Sequence, residues 1–412
     1  MPLRIKHIES FFHETDPTTL QYCCLSEDGC SFHFPTQNEL EQYPIIVPTT
    51  TASHSLHVPP DFFSHILIDE AAQMLECEAI MPLAYTTQDT GVALAGDHLQ
   101  STLKVFSMGN RKSADHSLFN RLFQYYQQET HQLASQCRIV FRENYRTTET
   151  IILFVLHNFY GTSKILMEDS GIPDHPSQFP LMFCCVSGTP EKNISMTSWL
   201  NRDEIVEVIK RIQEFYQDWD CQRGSCDQKQ ICVVSHGSQV KRLKEELRKK
   251  QLEEIVVENS ENMPGREFRV VILSTIHTQD SLLSNSATHL EFFNEPRLLN
   301  TMMTRAQSQL VVVDDPSVLC AFGHFSEIWK RFIQRTLEQG NTLPSFLKME
   351  DMEPSSLLHL AWQNRLDPGT AAREDLEEED NYGVATSQAS DAILCADDSI
   401  LEELLAETLP GN

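Results

Sequence analysis

Residues 66–70 read Ile-Leu-Ile-Asp-Glu, a run of branched apolar residues ending in two adjacent carboxylates. Placed at the end of a strand, Asp69 suits Mg²⁺ capture, directly or through water, and Glu70 suits polarisation of an attacking water beside a nucleotide phosphate. The next apolar run, Val92 to Ala95, ends in Gly96-Asp97-His98-Leu99-Gln100, so its side chains emerge on the same sheet edge. Gln100 carries a donor that can report a γ-phosphate oxygen. Asn144-Tyr145-Arg146 and the segment from Asn300 to Arg305 each supply one guanidinium. Two such groups converging on a transferring phosphoryl group stabilise its charge. A lone Asp-Glu pair after a strand is most often a helix cap; the four segments in this order point to phosphoryl chemistry instead.

Alternating strands and helices must carry these groups. From Tyr43 the pattern predicts a short strand over 44–47, then a polar loop containing Thr49, Thr50 and Ser53. A strand over 66–68 follows, expected to be buried on both faces because it is continuously apolar. Helices are predicted over 76–84, 117–126 and 149–160, the last carrying Ile152, Val155, Leu156 and Phe159 on one face. A second unit shows strands over 181–186, 231–234, 270–273 and 310–313, with helices over 202–216 and 239–250 between them. Strand-helix alternation in both halves predicts two parallel sheets covered by helices, with ligands at the carboxyl ends of the strands. The 239–250 helix is rich in Lys and Arg, which reads as a solvated face in preference to a nucleic-acid contact.

The chain has 412 residues and a formal net charge of -27, which repels nucleic acid unless basic groups gather in a groove. Residues 348–412 hold 16 acids against 3 bases, so about half of that charge sits in a short segment whose composition predicts disorder. Within it, Ile400, Leu401, Leu404 and Leu405 fall at helical spacing and suit a protein partner. The first residues lead into no apolar signal region, and no run of 18 apolar residues exists, so neither a secretory signal nor a membrane span is expected. Twelve scattered cysteines fit a reducing compartment, the cytoplasm with the nucleus as alternative. Cys23, Cys24, Cys30 and His33 match no common zinc spacing, nor do Cys221, Cys226 and Cys232; both groups read as ordinary thiols.

With these motifs in view, the chain resembles the C-terminal part of superfamily 1 helicases of the up-frameshift type. Asp69-Glu70-Ala71-Ala72-Gln73, Gly96-Asp97-His98-Leu99-Gln100 and Glu143-Asn144-Tyr145-Arg146 look most like the helicase-with-zinc-finger proteins and the Moloney-leukaemia-virus-ten-like RNA helicases. The resemblance runs from about Ile45 to Phe332. It implies an α/β fold of two tandem RecA-like parallel-sheet domains, ATP and Mg²⁺ as cofactors, and 5′ to 3′ movement on single-stranded RNA. It implies that Asp69 takes the metal, that Glu70, Gln100, Arg146 and Arg305 are catalytic, and that Tyr145 stacks near the adenine. Gly265-Arg266-Glu267 resembles the motif that reads the ribose, making Gly265 and Glu267 nucleotide contacts. Thr49, Thr50 and Ser53 resemble a nucleic-acid-contacting loop, and Thr275 would approach the strand from the second domain.

The sequence also departs from the family. None of its 15 glycines is followed by lysine, so the Gly-x-x-x-x-Gly-Lys-[Ser/Thr] phosphate loop is absent from it. Pro264 stands where the family has glutamine, and Ser101-Thr102 replaces Leu-Pro. The expected organisation is a remnant over 1–44, a partial first motor domain over 45–165, a second motor domain over 166–347 and an acidic tail over 348–412. Two readings stay open: an ATP-dependent RNA helicase by lineage, weak or inactive as this chain, or a non-catalytic RNA-binding or scaffolding protein.

Overall fold

The computed structural model describes residues 1–6, 15, 17–26, 29, 31–100, 117–127, 134–141, 143–161, 166–167, 179–188, 191–192, 199–218, 227–276, 296–320 and 326–349. The acidic segment beyond residue 349, with its candidate partner helix, lies outside these residues, as do Cys30, Cys221, Cys226 and Ser101-Thr102.

In the N-terminal part, β1 (Pro2–Arg4) pairs in parallel with β2 (Ile45–Val47), and a short helix α1 (Gln37–Leu40) lies between them in the chain. Leu3, Ile5, Leu40, Ala52 and Leu56 form a small core there. The expected polar loop is instead a helical turn, α2 (Thr50–Ser53), because the Thr49 hydroxyl caps it by accepting from the Ala52 amide at 3.2 Å. Next, β3 (His65–Ile68) pairs in parallel with β4 (Gly91–Leu94), with α3 (Glu76–Leu83) between them. Burial of β3 on both faces does not hold. Ile68 is buried, but Leu67 is 78% exposed and Val92 of β4 is 45% exposed. These strands form a sheet of two, and among the described residues no further strand pairs with their outer edges. The amphipathic α4 (Leu118–Gln127) and α5 (Glu149–Val155) follow; α5 runs on through a wider π-type turn to Tyr160.

The second half builds one all-parallel sheet. Its strands are β5 (Leu181–Cys185), β6 (Ile231–Ser235), β7 (Val256–Asn259), β8 (Phe268–Ser274), β9 (Ala306–Asp314) and β10 (Thr342–Leu343), in the spatial order β7-β6-β8-β9-β5-β10. Helices α6 (Arg202–Asp218), α7 (Gly237–Lys249), α8 (Pro296–Met303) and α9 (Ser326–Glu338) connect and flank the strands. Side chains alternate across the pleat. Phe183, Val234, Val271, Leu273 and Val312 pack with α5, α8 and α9, including Ile151, Met302, Trp329 and Phe332. Cys184, Val233, Ile272 and Val311 pack with Ile212 of α6 and Leu243 of α7 on the other face. Each fully buried Leu, Ile or Phe here contributes about 1.5–3 kcal/mol. Cys232 is one of these core residues, its thiol directed at the Met263 sulfur at 3.8 Å.

Candidate functional site

The carboxylate pair follows β3 directly. The Asp69 Oδ1 accepts from the Glu70 amide at 2.9 Å, and Glu70 takes a left-handed conformation (φ 51°, ψ 33°). The turn is fixed from the neighbouring strand: Ala95 N donates to the Ile68 carbonyl and Ala71 N to the Ala95 carbonyl, both at 2.8 Å. Gly96 permits this approach, since a Cβ there would lie 2.9 Å from the Ala72 nitrogen. Asp69 is exposed, whereas Glu70 is half-buried with Oε2 accepting from Gln73 Nε2 at 2.8 Å.

Gln100 follows β4 and is oriented by Asp97, whose Oδ2 accepts from Gln100 Nε2 at 3.1 Å. The Gln100 Oε1 in turn faces Arg305, which donates from Nη2 at 3.4 Å. Arg305 sits in the turn between α8 and β9 and is 2% exposed. Its guanidinium donates to the Thr301 carbonyl at 3.0 Å, the Arg266 carbonyl at 3.3 Å and the Thr304 hydroxyl at 3.1 Å. Burial, and then the like charge of Arg146, bring its pKa down to about 10, while Glu70, Tyr160 and Glu267 oppose the shift. Arg305 therefore stays cationic at neutral pH, within electrostatic reach of Glu70, Arg146 and Glu267.

Arg146 enters from the turn before α5. The Asn144 side chain holds that turn by donating to the Thr147 carbonyl at 2.6 Å. Arg146 Nε donates to Glu267 Oε2 at 2.6 Å, and Gln307 Nε2 donates to the other Glu267 oxygen at 3.2 Å. Both Glu267 oxygens are thus engaged. Tyr145 presents a ring 60% exposed, with its hydroxyl donated to Glu143.

The structure therefore brings Glu70, Gln100, Arg146, Arg305 and Glu267 to one junction, with Asp69 and Tyr145 at its exposed edge. Gly265 forms a left-handed turn (φ +72°) with open space around it. The expected nucleic-acid contacts fare differently. Thr49 is exposed and Thr50 half-buried, but Ser53 is buried and its hydroxyl donates to the Thr50 carbonyl at 2.6 Å. Thr275 is also fully buried, beside Asp314. In this arrangement neither Ser53 nor Thr275 faces a ligand; both hydroxyls lie inside the packing that forms the turn or the strand end.

Comparison with known proteins decides the lineage. The AAA domain family matches residues 31–107 through one of its profiles and residues 114–317 through another. The 3′-5′ exoribonuclease HELZ2 of Mus musculus is 50% identical over 88% of this chain, and the probable helicase with zinc finger domain of Homo sapiens is 37% identical over 81%. The chain belongs to the up-frameshift-like superfamily 1 helicases. It spans 12% of the first relative's length and 18% of the second's. Among solved structures, the PRRSV helicase is 12% identical, covering 76% of this chain and 47% of that one with a TM-score of 0.33.

Sequence reasoning missed the polar link that ties this helicase junction together. Tyr160 donates its hydroxyl to Asp97 and accepts from Asn300 Nδ2 at 3.0 Å, while Asn300 Nδ2 also donates to the Leu99 carbonyl at 2.8 Å. Burial and the Asp97 charge hold the Tyr160 phenol protonated, far above its ordinary range. The link joins the β4 loop to α8, whose C-terminal turn leads into Arg305. Tyr160→Phe should cost about 1.5–3 kcal/mol, because the lost bond is to a charged acceptor and leaves the Asn300 amide poorly matched. Urea unfolding measures it; a loss under about 0.5 kcal/mol would show the link to be incidental.

Proposed function

We propose that this chain is the motor portion of an ATP-dependent RNA helicase, moving 5′ to 3′ along single strands, and that it turns over ATP weakly or not at all by itself. The observation that carries the reading is the Gln100–Arg305 contact, with Glu70 and Arg146 in the same electrostatic surroundings. This set fits the γ-phosphate end of a nucleotide. Asp69 is free to hold a cation, Glu70 to orient and deprotonate a water, Gln100 to hydrogen-bond a phosphoryl oxygen, and Arg146 and Arg305 to accept developing charge. Bound Mg²⁺ would neutralise charge on the phosphate oxygens. Glu267 would leave Arg146 to meet the ribose. That exposed pair is worth about 0–1 kcal/mol, so a bound nucleotide can compete with it. Thr49 and Thr50 remain available to a nucleic-acid strand.

The weak link is the phosphate cradle, which no glycine of this sequence supplies. Without loop amides and a lysine, much of the phosphate affinity is missing. That deficit, with the exposed apolar faces of β3 and β4, favours the second reading, a non-catalytic RNA-binding or scaffolding protein with its acidic segment facing a protein partner.

Two assays separate these readings. Phosphate release with poly-U should not exceed that of Glu70→Gln; robust turnover abolished by Glu70→Gln would overturn the weak-enzyme proposal. Fluorescence anisotropy with labelled oligo-U should show RNA affinity that changes with ATP and Mg²⁺. Affinity indifferent to nucleotide assigns the chain to the scaffold class. One relative is named an exoribonuclease, so oligonucleotide length is followed in the same samples.

A further inference from the structure

A second cluster of chemically able side chains lies in the N-terminal part. Leu25 and Phe32 pair across an antiparallel bridge, and His33 N donates to the Cys24 carbonyl at 3.2 Å. The hairpin thus sets Cys24 and His33 side by side. Immediately after it, α1 begins with a capping box. Glu39 Oε2 accepts from both the Thr36 amide and the Thr36 hydroxyl at 2.7 Å. That fixes the other oxygen, Oε1, 3.1 Å from His33 Nε2. One ligating atom from each of Cys24, His33 and Glu39 lies within 4.8 Å of the other two.

We propose that Cys24, His33 and Glu39 form a Zn²⁺ site that clips the hairpin to α1. A thiolate and an imidazole beside one carboxylate select zinc over the hard cations Mg²⁺ and Ca²⁺. Ligand atoms of a tetrahedral zinc stand about 3–4 Å apart, so the present spread closes with small side-chain rotations. Three protein ligands leave a fourth position for water. His33 meets Glu39 through Nε2, while its Nδ1 is shielded from solvent and has no hydrogen-bond partner, an orphan that the metal satisfies only where Nδ1 is the ligating nitrogen. Cys23 is not part of the set, since its thiol donates to the Thr19 carbonyl at 3.4 Å.

The site has a structural rationale. Cys24 and Phe34 pack against the small core of Leu3, Ile5 and Leu40. Cores of that size hold their shape poorly without a cross-link or a metal. Glu39 is also pre-positioned by the capping box, so little ordering is needed on binding. The spacing of these residues matches no common zinc template, because the third ligand comes from a helix that the hairpin happens to face.

Cobalt spectroscopy on the whole chain tests the proposal. The chelator-stripped protein is titrated with Co²⁺, and zinc content is measured by atomic emission after dialysis. The expected result is one metal per chain, with a sulfur-to-cobalt charge-transfer band and the strong visible bands of tetrahedral coordination. Cys24→Ser should abolish the charge-transfer band, and His33→Gln should weaken zinc affinity at least tenfold. Cys77→Ser, at an exposed thiol elsewhere, should change nothing. Should Cys24→Ser not fold, Glu39→Gln decides, since glutamine keeps the capping box but should still weaken zinc at least tenfold. A wild-type chain without tetrahedral bands, a Cys24→Ser chain with an unchanged spectrum, or a Glu39→Gln chain with unchanged affinity would each overturn the site.

Discussion

Raising the pH from about 5 to about 8 should weaken the six-stranded unit by several kcal/mol, and Asp314→Asn should remove the Asp314 share of that loss while leaving the Glu204 share. Glu204, near the start of α6, and Asp314, at the end of β9, are both fully buried at the carboxyl edge of the sheet. Glu204 accepts from Asn201 Nδ2 at 3.1 Å, Gln239 Nε2 at 3.2 Å, the Ser274 hydroxyl at 2.7 Å and the Ile276 amide at 3.0 Å. Burial still dominates and pushes its pKa up from 4.5 to about 7. Asp314 is also pushed well up, first by burial and then by the Glu204 charge. The sign follows from proton counting. As pH rises from about 4.5 to about 7 the unfolded chain releases the Glu204 proton while the folded chain keeps it, so the unfolded state gains. Stability is therefore full below the unfolded pKa and is lost as pH climbs to the folded one. For Glu204 the loss is about 3 kcal/mol. An asparagine at 314 keeps an oxygen for the Asp315 amide, which donates to Asp314 Oδ1 at 2.6 Å, and removes the like charge. Glu204 stays buried, so its own pKa remains raised and its share of the loss persists. Urea midpoints at the two pH values measure this; a pH loss in Asp314→Asn equal to wild type would show that burial does not hold Asp314 protonated in the folded chain.

How much of this was legible beforehand depended on whether the cause was local. The strands at 231–235 and 268–274 announce themselves because β-branched runs have few other uses, and their parallel pairing follows from the helices between them. The acid pair, Gln100 and the two arginines could be named because each follows or precedes such an element. The fate of β3 could not be read. An apolar run encodes a strand but not whether anything covers it, and Leu67 remains exposed. Thr49 to Ser53 looked like a loop because the cap that winds it into a helix is made by a residue equally common in loops. Tyr160, Asp97 and Asn300 are far apart in the chain, so their contact belongs to tertiary packing. Glu204 lies in the first turn of a helix, where the dipole favours an acid, and nothing in the local pattern marks it as buried. Its burial comes from Gln239 and Ser274, on other elements.

Arg305 should prove the most costly side chain of the junction to remove. Three of its bonds, to the Thr301 and Arg266 carbonyls and the Thr304 hydroxyl, stay within the second half of the chain. Arg305→Ala strips donors from buried acceptors and opens space beside α8, for an expected loss of about 3 kcal/mol or more. Arg305→Lys keeps the charge but not the planar fork, so it should recover less than half of that loss. The fourth bond, to Gln100, behaves differently. At 3.4 Å it is long, and Gln100 is already held by Asp97. A double-mutant cycle between Gln100→Ala and Arg305→Ala should therefore give a coupling below about 0.5 kcal/mol in the free protein. Groups that act on a phosphoryl oxygen commonly tighten only once the ligand is present. Saturating ATP with Mg²⁺ should raise that coupling above about 1 kcal/mol if both side chains meet the same phosphate. A coupling that stays small with nucleotide bound would separate Gln100 from Arg305 and leave the buried guanidinium a packing element alone.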